Sequence, residues 1–151
     1  MTVLAYFQPK FLLTYLGGKQ VNMSTDTFKV GLIASGTLAA RGTNEGYATV
    51  ADLLANNGSA LTEVAGGGYS RLSLASVTWT VSGLVVTLTA ANPSWSPNSF
   101  TAVYGWMHDE TASSGTDATR PLVALWDFGG ALSVNGLVVN GSGLVTGTAA
   151  Q

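Results

Sequence analysis

Trp106 to Thr111 reads WMHDET and holds the chain's only histidine, followed at once by two carboxylates. Such a grouping is the raw material of acid–base chemistry, in which an imidazole exchanges a proton with a reacting group and a carboxylate orients it. In an extended strand, however, His108 and Glu110 share a face and Asp109 points to the other, so the three do not converge on one atom. No nucleophile motif of the G-x-S-x-G kind accompanies them. The stretch is expected to be a strand end that reaches water at His108 and enters the polar loop DETASSGTDATR. His108, Asp109, Glu110 and Asp117 are then candidate loop contacts to a neighbouring molecule.

Other chemistry finds no stronger footing. The loop offers Asp109, Glu110, Asp117 and several hydroxyls to a hard cation, but the spacing matches no EF-hand and a solvated loop explains it as well. One histidine and no cysteine leave too few soft ligands for a transition metal, so neither metal nor cofactor is expected. Gly66 to Gly68 is not followed by the Lys and hydroxyl residue of a phosphate cradle. Asp127, between Trp126 and Phe128, is either a sugar ligand beside an aromatic platform or, more simply, an edge position that faces out or caps a neighbouring backbone group. Trp79, Trp95, Trp106 and Trp126 each fall in or beside an expected strand and are read as core.

The elements that must hold these residues are mostly strands. TDTFKVGLIAS alternates Phe28, Val30 and Leu32 with Lys29, Gly31 and Ile33, as a strand with one well-buried side does. Tyr47 to Gly58 breaks that period: Val50, Leu53 and Leu54 recur at helical spacing and Asn57-Gly58 supplies a stop, so one short helix is expected. RLSLASVTWTVSGLVVTLTA reads as two strands around a Ser82-Gly83 turn. Its apolar positions change parity near Ala75-Ser76, which implies a bulge or break. Phe100 to His108 is apolar on both faces, as a central strand is, and RPLVALWDFG is another. Asn-Gly pairs at 135–136 and 140–141 punctuate two further short segments. These strands predict an all-β fold, an antiparallel β-sandwich of jelly-roll-like type with one short helix, or a partly open barrel.

Composition bounds the role. At 151 residues the chain is expected to carry one domain, with residues 25–151 as the sandwich and 1–24 as an apolar N-terminal segment. Tyr6, Phe7, Phe11 and Tyr15 make that segment unusual for a terminus. It is either a short helix near Pro9 covering one end of its own sandwich or an arm lying on another subunit, and those four aromatics are the candidate subunit contacts. Gln8, Pro9 and Lys10 interrupt the apolar run and no basic stretch precedes it, so neither a signal peptide nor a membrane span is expected. Net charge is -2 with six Lys and Arg, too few and too scattered to neutralise a phosphate backbone. Charged residues make up 9% of the chain against about 25% in an ordinary soluble domain. Surfaces this neutral suit a small oligomer or a subunit packed in a large assembly.

The order of segments resembles a family of small virion structural proteins of tailed bacteriophages. The resemblance rests on TDTFKV, on the glycine-flanked Tyr69 before RLSLASVTWT, on FTAVYGWMHDET, and on PLVALWDFG ahead of an Asn/Gly-rich end. It implies a non-enzymatic protein that attaches to the particle as capsid decoration (cement) or as a minor tail or tail-tip component. The implied partners are the major capsid protein or other virion proteins, together with further copies of the chain. The implied location is the virion, assembled in the bacterial host cytoplasm. A carbohydrate-binding sandwich is a separate reading, and it requires Trp95 or Trp126 to be exposed beside Asp127 or Asp117.

Overall fold

Two apolar faces on one set of strands decide the architecture. The computed structural model describes residues 4–10, 20–82, 85–95, 99–111, 115–135 and 145–148. Nine strands are present among them: β1 (Leu4–Phe7), β2 (Phe28–Ser35), β3 (Thr62–Glu63), β4 (Leu72–Ser73), β5 (Thr78–Ser82), β6 (Val85–Thr89), β7 (Ser99–Asp109), β8 (Leu122–Asn135) and β9 (Val145–Thr148). The large sheet runs β1-β8-β7-β2-β3, with β4 also paired to β2, and the small sheet runs β5-β6-β9. Every pairing is antiparallel.

The central strands β2 and β7 bury both sides. Phe28, Val30, Leu32 and Met107 face one cluster, which Trp79, Leu88 and Trp95 complete from the small-sheet side. Ile33, Trp106, Leu122 and Leu125 face a second cluster formed with Tyr47, Val50, Leu53 and Leu61. The large sheet therefore lies between the small sheet and a layer of short helices. Each fully buried Leu, Ile or Phe contributes roughly 1.5–3 kcal/mol relative to exposure. The expectation of one well-buried side for β2 is corrected here, since Gly31 and Ile33 are as enclosed as their neighbours.

That layer holds two short helices rather than one, α1 (Arg41–Asn44) and α2 (Val50–Ala55). α2 starts at a capping box in which the Asp52 N–H donates to Thr49 Oγ1 and the Thr49 N–H donates to Asp52 Oδ2. It ends at left-handed Asn56, one residue before the expected Asn57-Gly58 stop. The Asn56 amide is buried and fully used: Oδ1 accepts from the Ala39 N–H and Tyr47 hydroxyl, and Nδ2 donates to the Thr37 and Ser59 carbonyls.

The parity change near Ala75-Ser76 marks a change of sheet. Leu72–Ser73 pairs with β2, and from Thr78 the chain pairs with β6, with Ser76 at φ 53 at the corner. In the following hairpin Ser82 stands opposite Val85 and is a strand residue, not the turn residue expected of it. Further on, Ala102 pairs with Leu132 but Tyr104 with Asp127, leaving residues 128–131 opposite Val103 alone. Gly129 and Gly130, at φ 71 and 151, carry this bulge. The expected Asn140-Gly141 turn lies outside the described residues. The fold is mostly β with antiparallel sheets, and the described residues form no closed sandwich.

Candidate functional site

Gly31 opens the most distinctive cluster in the molecule. It pairs with Trp106 across β2 and β7, and a Cβ built on it would lie 2.3 Å from Trp106 Cζ2. Only glycine lets the indole lie over β2 at this crossing. Beyond it the Arg71 guanidinium carbon sits 5.2 Å from a Trp106 ring centroid, within cation–π range.

Two carboxylates grip Arg71. Its Nε and Nη2 donate to Glu63 at 2.8 and 2.7 Å, and its Nη1 and Nη2 donate to Asp117 at 2.5 and 2.9 Å. Arg120 extends the chain of contacts, donating from Nη1 to Asp117 at 2.8 Å and from Nε and Nη2 to Glu110 at 2.6 and 3.0 Å. Lys29 Nζ reaches Glu110 at 3.1 Å, and His108 Nε2 lies 3.2 Å from its other oxygen. The Tyr69 hydroxyl donates to Glu63 and accepts from the Leu32 N–H. Both arginines make paired N–H···O contacts, the geometry in which guanidinium binds carboxylate best.

The electrostatics follow from these contacts. The Arg120 hydrogen bonds hold Glu110 down at about 2, and those of Arg71 hold Asp117 at about 2. Burial opposes the Arg71 charge, but the hydrogen bonds to Glu63 and Asp117 outweigh it and leave the group above its ordinary value. Burial, followed by the nearby Arg71 charge, pushes His108 down to about 4 despite its contact with Glu110. The imidazole is therefore neutral at neutral pH.

His108 and Asp109 are 0% exposed, which overturns the expectation that the strand reaches water at His108. The reason is lateral cover. Lys29 pairs beside His108, Phe28 beside Asp109, and the turn at 115–121 folds back so that the Asp109 N–H donates to the Pro121 carbonyl. Neither side chain offers a surface contact in this arrangement. Glu110 and Asp117 come together as members of one ion network, with Asp109 on the other face. His108 Nδ1 has no hydrogen-bond partner among the described residues, and the ring opens onto no solvent.

The other expected residues fall as follows. Leu4–Phe7 runs as backbone beside β8, so Tyr6 and Phe7 lie on an edge strand of the large sheet, and Pro9 and Lys10 are helical. Phe11 and Tyr15 lie outside the described residues. Asp127 Oδ1 accepts from the Gly129 N–H at 2.8 Å, the capping role. Trp95, Trp106 and Trp126 are buried and Trp79 is half-buried, so Trp95 and Trp126 form no exposed platform. Glu63, Arg71, Arg120 and Lys29 were not picked out from sequence. The signals for them were Gly31 inside an apolar strand and the scarcity of charge, which makes each arginine conspicuous.

Among the described residues no three His, Asp or Glu side chains are grouped to hold a metal ion. No helix among them is long and apolar enough to cross a membrane. A depression of about 650 Å³ lined by residues 36–39 with Asn56, Asn57, Ser59 and Ala60 contains no titratable group. The network ties β2, β3, the approach to β4, the end of β7 and the 115–121 turn to one another. Comparison with known protein families, with characterised proteins and with solved structures finds no match.

Proposed function

We propose that this chain is a non-enzymatic structural protein of a tailed-bacteriophage particle, seated on the head as a decoration protein that contacts the major capsid protein. The observation that carries the reading is where the charge goes. Of six basic and eight acidic residues, Lys29, Arg71, Arg120, Glu63, Glu110 and Asp117 neutralise one another inside a single network. Arg41 and Glu45 pair on α1. Apart from Lys10, Asp26, Asp52 and Asp127, the surface left among the described residues is rich in Ser, Thr, Asn and Gly, suited to repeated packing against other subunits. The network braces the loop end of the large sheet, as a subunit carrying load in a shell requires.

The two sheets are proposed to close as a jelly-roll-like sandwich, a reading supported by β9 lying alongside β1 at the open side. Each contact with the shell takes on the order of 800 Å² from each partner, and repetition over the particle makes modest contacts collectively strong. Antibody labelling of purified particles under the electron microscope tests the assignment. Label over the head supports it, label confined to the tail moves the chain to the minor-tail class, and particles without label remove it from the virion.

A further inference from the structure

Charge is segregated along this chain. Every Asp, Glu, Lys and Arg lies within positions 10–71 or 109–127, with none between Arg71 and Asp109 and none after Asp127. Folding turns this into a spatial division, because β5, β6 and β9, the whole small sheet, come from the charge-free stretches. One side of that sheet is internal, where Trp79 and Leu88 join the core. The other side presents Thr78, Thr80 and Ser82 on β5, all exposed, beside half-buried Thr87 and Thr89 on β6. Thr78 stands opposite Thr89 with their hydroxyls 2.5 Å apart, and Thr80 stands opposite Thr87.

We infer that the hydroxyl-lined outer face of the small sheet is an interface between copies of this chain. A hydroxyl both donates and accepts, so an array of them is complementary to itself. Self-complementarity is what a twofold contact demands, since the same patch must serve on both sides. A partner presenting charge here would bury it against a face that supplies no counter-charge. A second copy presents the same neutral surface. Its ion network lies on the far side of the large sheet, with the Trp106 cluster, so like charges stay apart. The inference stands whether or not the chain belongs to a particle.

Size sets the strength. Three strands about 4.8 Å apart and five residues at about 3.4 Å each make a face of roughly 14 by 17 Å. That is well under the ~800 Å² each partner gives to a standard interface, so association is weak and depends on concentration. Sedimentation equilibrium of the full chain from micromolar to millimolar concentration, at low and high salt, reads it directly. The expected result is reversible association that salt leaves unchanged, because no charge pair crosses the contact.

Thr80→Lys and Ser82→Lys, both at exposed positions, are expected to weaken association by about tenfold or more, with circular dichroism confirming the fold. Ala55→Lys, exposed on α2 in the helical layer, is expected to leave association at the wild-type level. A chain that stays monomeric throughout overturns the inference. So does association that high salt abolishes, that both β5 variants retain, or that Ala55→Lys weakens equally.

Discussion

His108→Gln removes the imidazole of the ion network, whose charged form the fold opposes. Burial and the Arg71 charge lower the imidazole from 6.5 to about 4, and the group is 0% exposed, so solvent screens the effect little. At about 1.4 kcal/mol per pH unit, the difference amounts to about 3 kcal/mol. Between the two values the unfolded chain binds a proton that the folded chain refuses, so stability falls as pH drops from about 6.5 to about 4. Glu110 and Asp117 act in a lower window. Their folded values of about 2 lie below ordinary values of 4.5 and 3.8, so their contribution is present above the ordinary values and lost as pH falls toward 2. Urea unfolding of the two chains between about pH 7 and pH 4.5 isolates the histidine. The wild type should lose most of the 3 kcal/mol. His108→Gln should start about 1 kcal/mol lower and stay nearly flat. Equal slopes for both chains would refute the assignment of acid sensitivity to this residue.

Three further substitutions test the packing around it. Gly31→Ala places a methyl group where the Trp106 indole lies, and should destabilise by about 3 kcal/mol with a changed near-ultraviolet tryptophan signal. Arg71→Met keeps the stem but strips counter-charge from Glu63 and Asp117; with Arg71 17% exposed, a loss of roughly 3 kcal/mol is expected in guanidinium chloride unfolding. A loss of less than about 1 kcal/mol would place this network among ordinary surface pairs. Thr49→Ala removes the α2 cap and should lower stability by about 1 kcal/mol in the same assay, with Thr49→Ser recovering most of it.

Much of the β texture was legible because it rests on local alternation. Phe28, Val30 and Leu32 do share a face, Phe100 to His108 does run through the centre of a sheet, and Val50 and Leu53 do face the core from a helix. The parity change at Ala75-Ser76 was visible as well, although its meaning was not. A strand pattern reports that the facing side changes, and only the partners show that the chain has moved from β2 to β6. α1 escaped notice because four residues, RGTN, carry no apolar period. The bulge at residues 128–131 requires knowing which residues of β7 stand opposite β8.

The candidate site divides in the same way. By itself the sequence determined what the chain has to work with: one histidine, no cysteine, few charges, strands with apolar faces, and long stretches without charge. It also determined that His108 and Glu110 lie on one side and Asp109 on the other, since that follows from the two-residue period of a strand. Tertiary structure alone decided that His108 is enclosed, and that Glu63, Arg71, Glu110, Asp117, Arg120 and Lys29 meet. Those residues are separated by up to 91 positions, from Lys29 to Arg120, and are joined by pairings with no local signature. Burial and ion pairing belong to neighbours across the sheet, and neighbours exist only once the strands have chosen their partners.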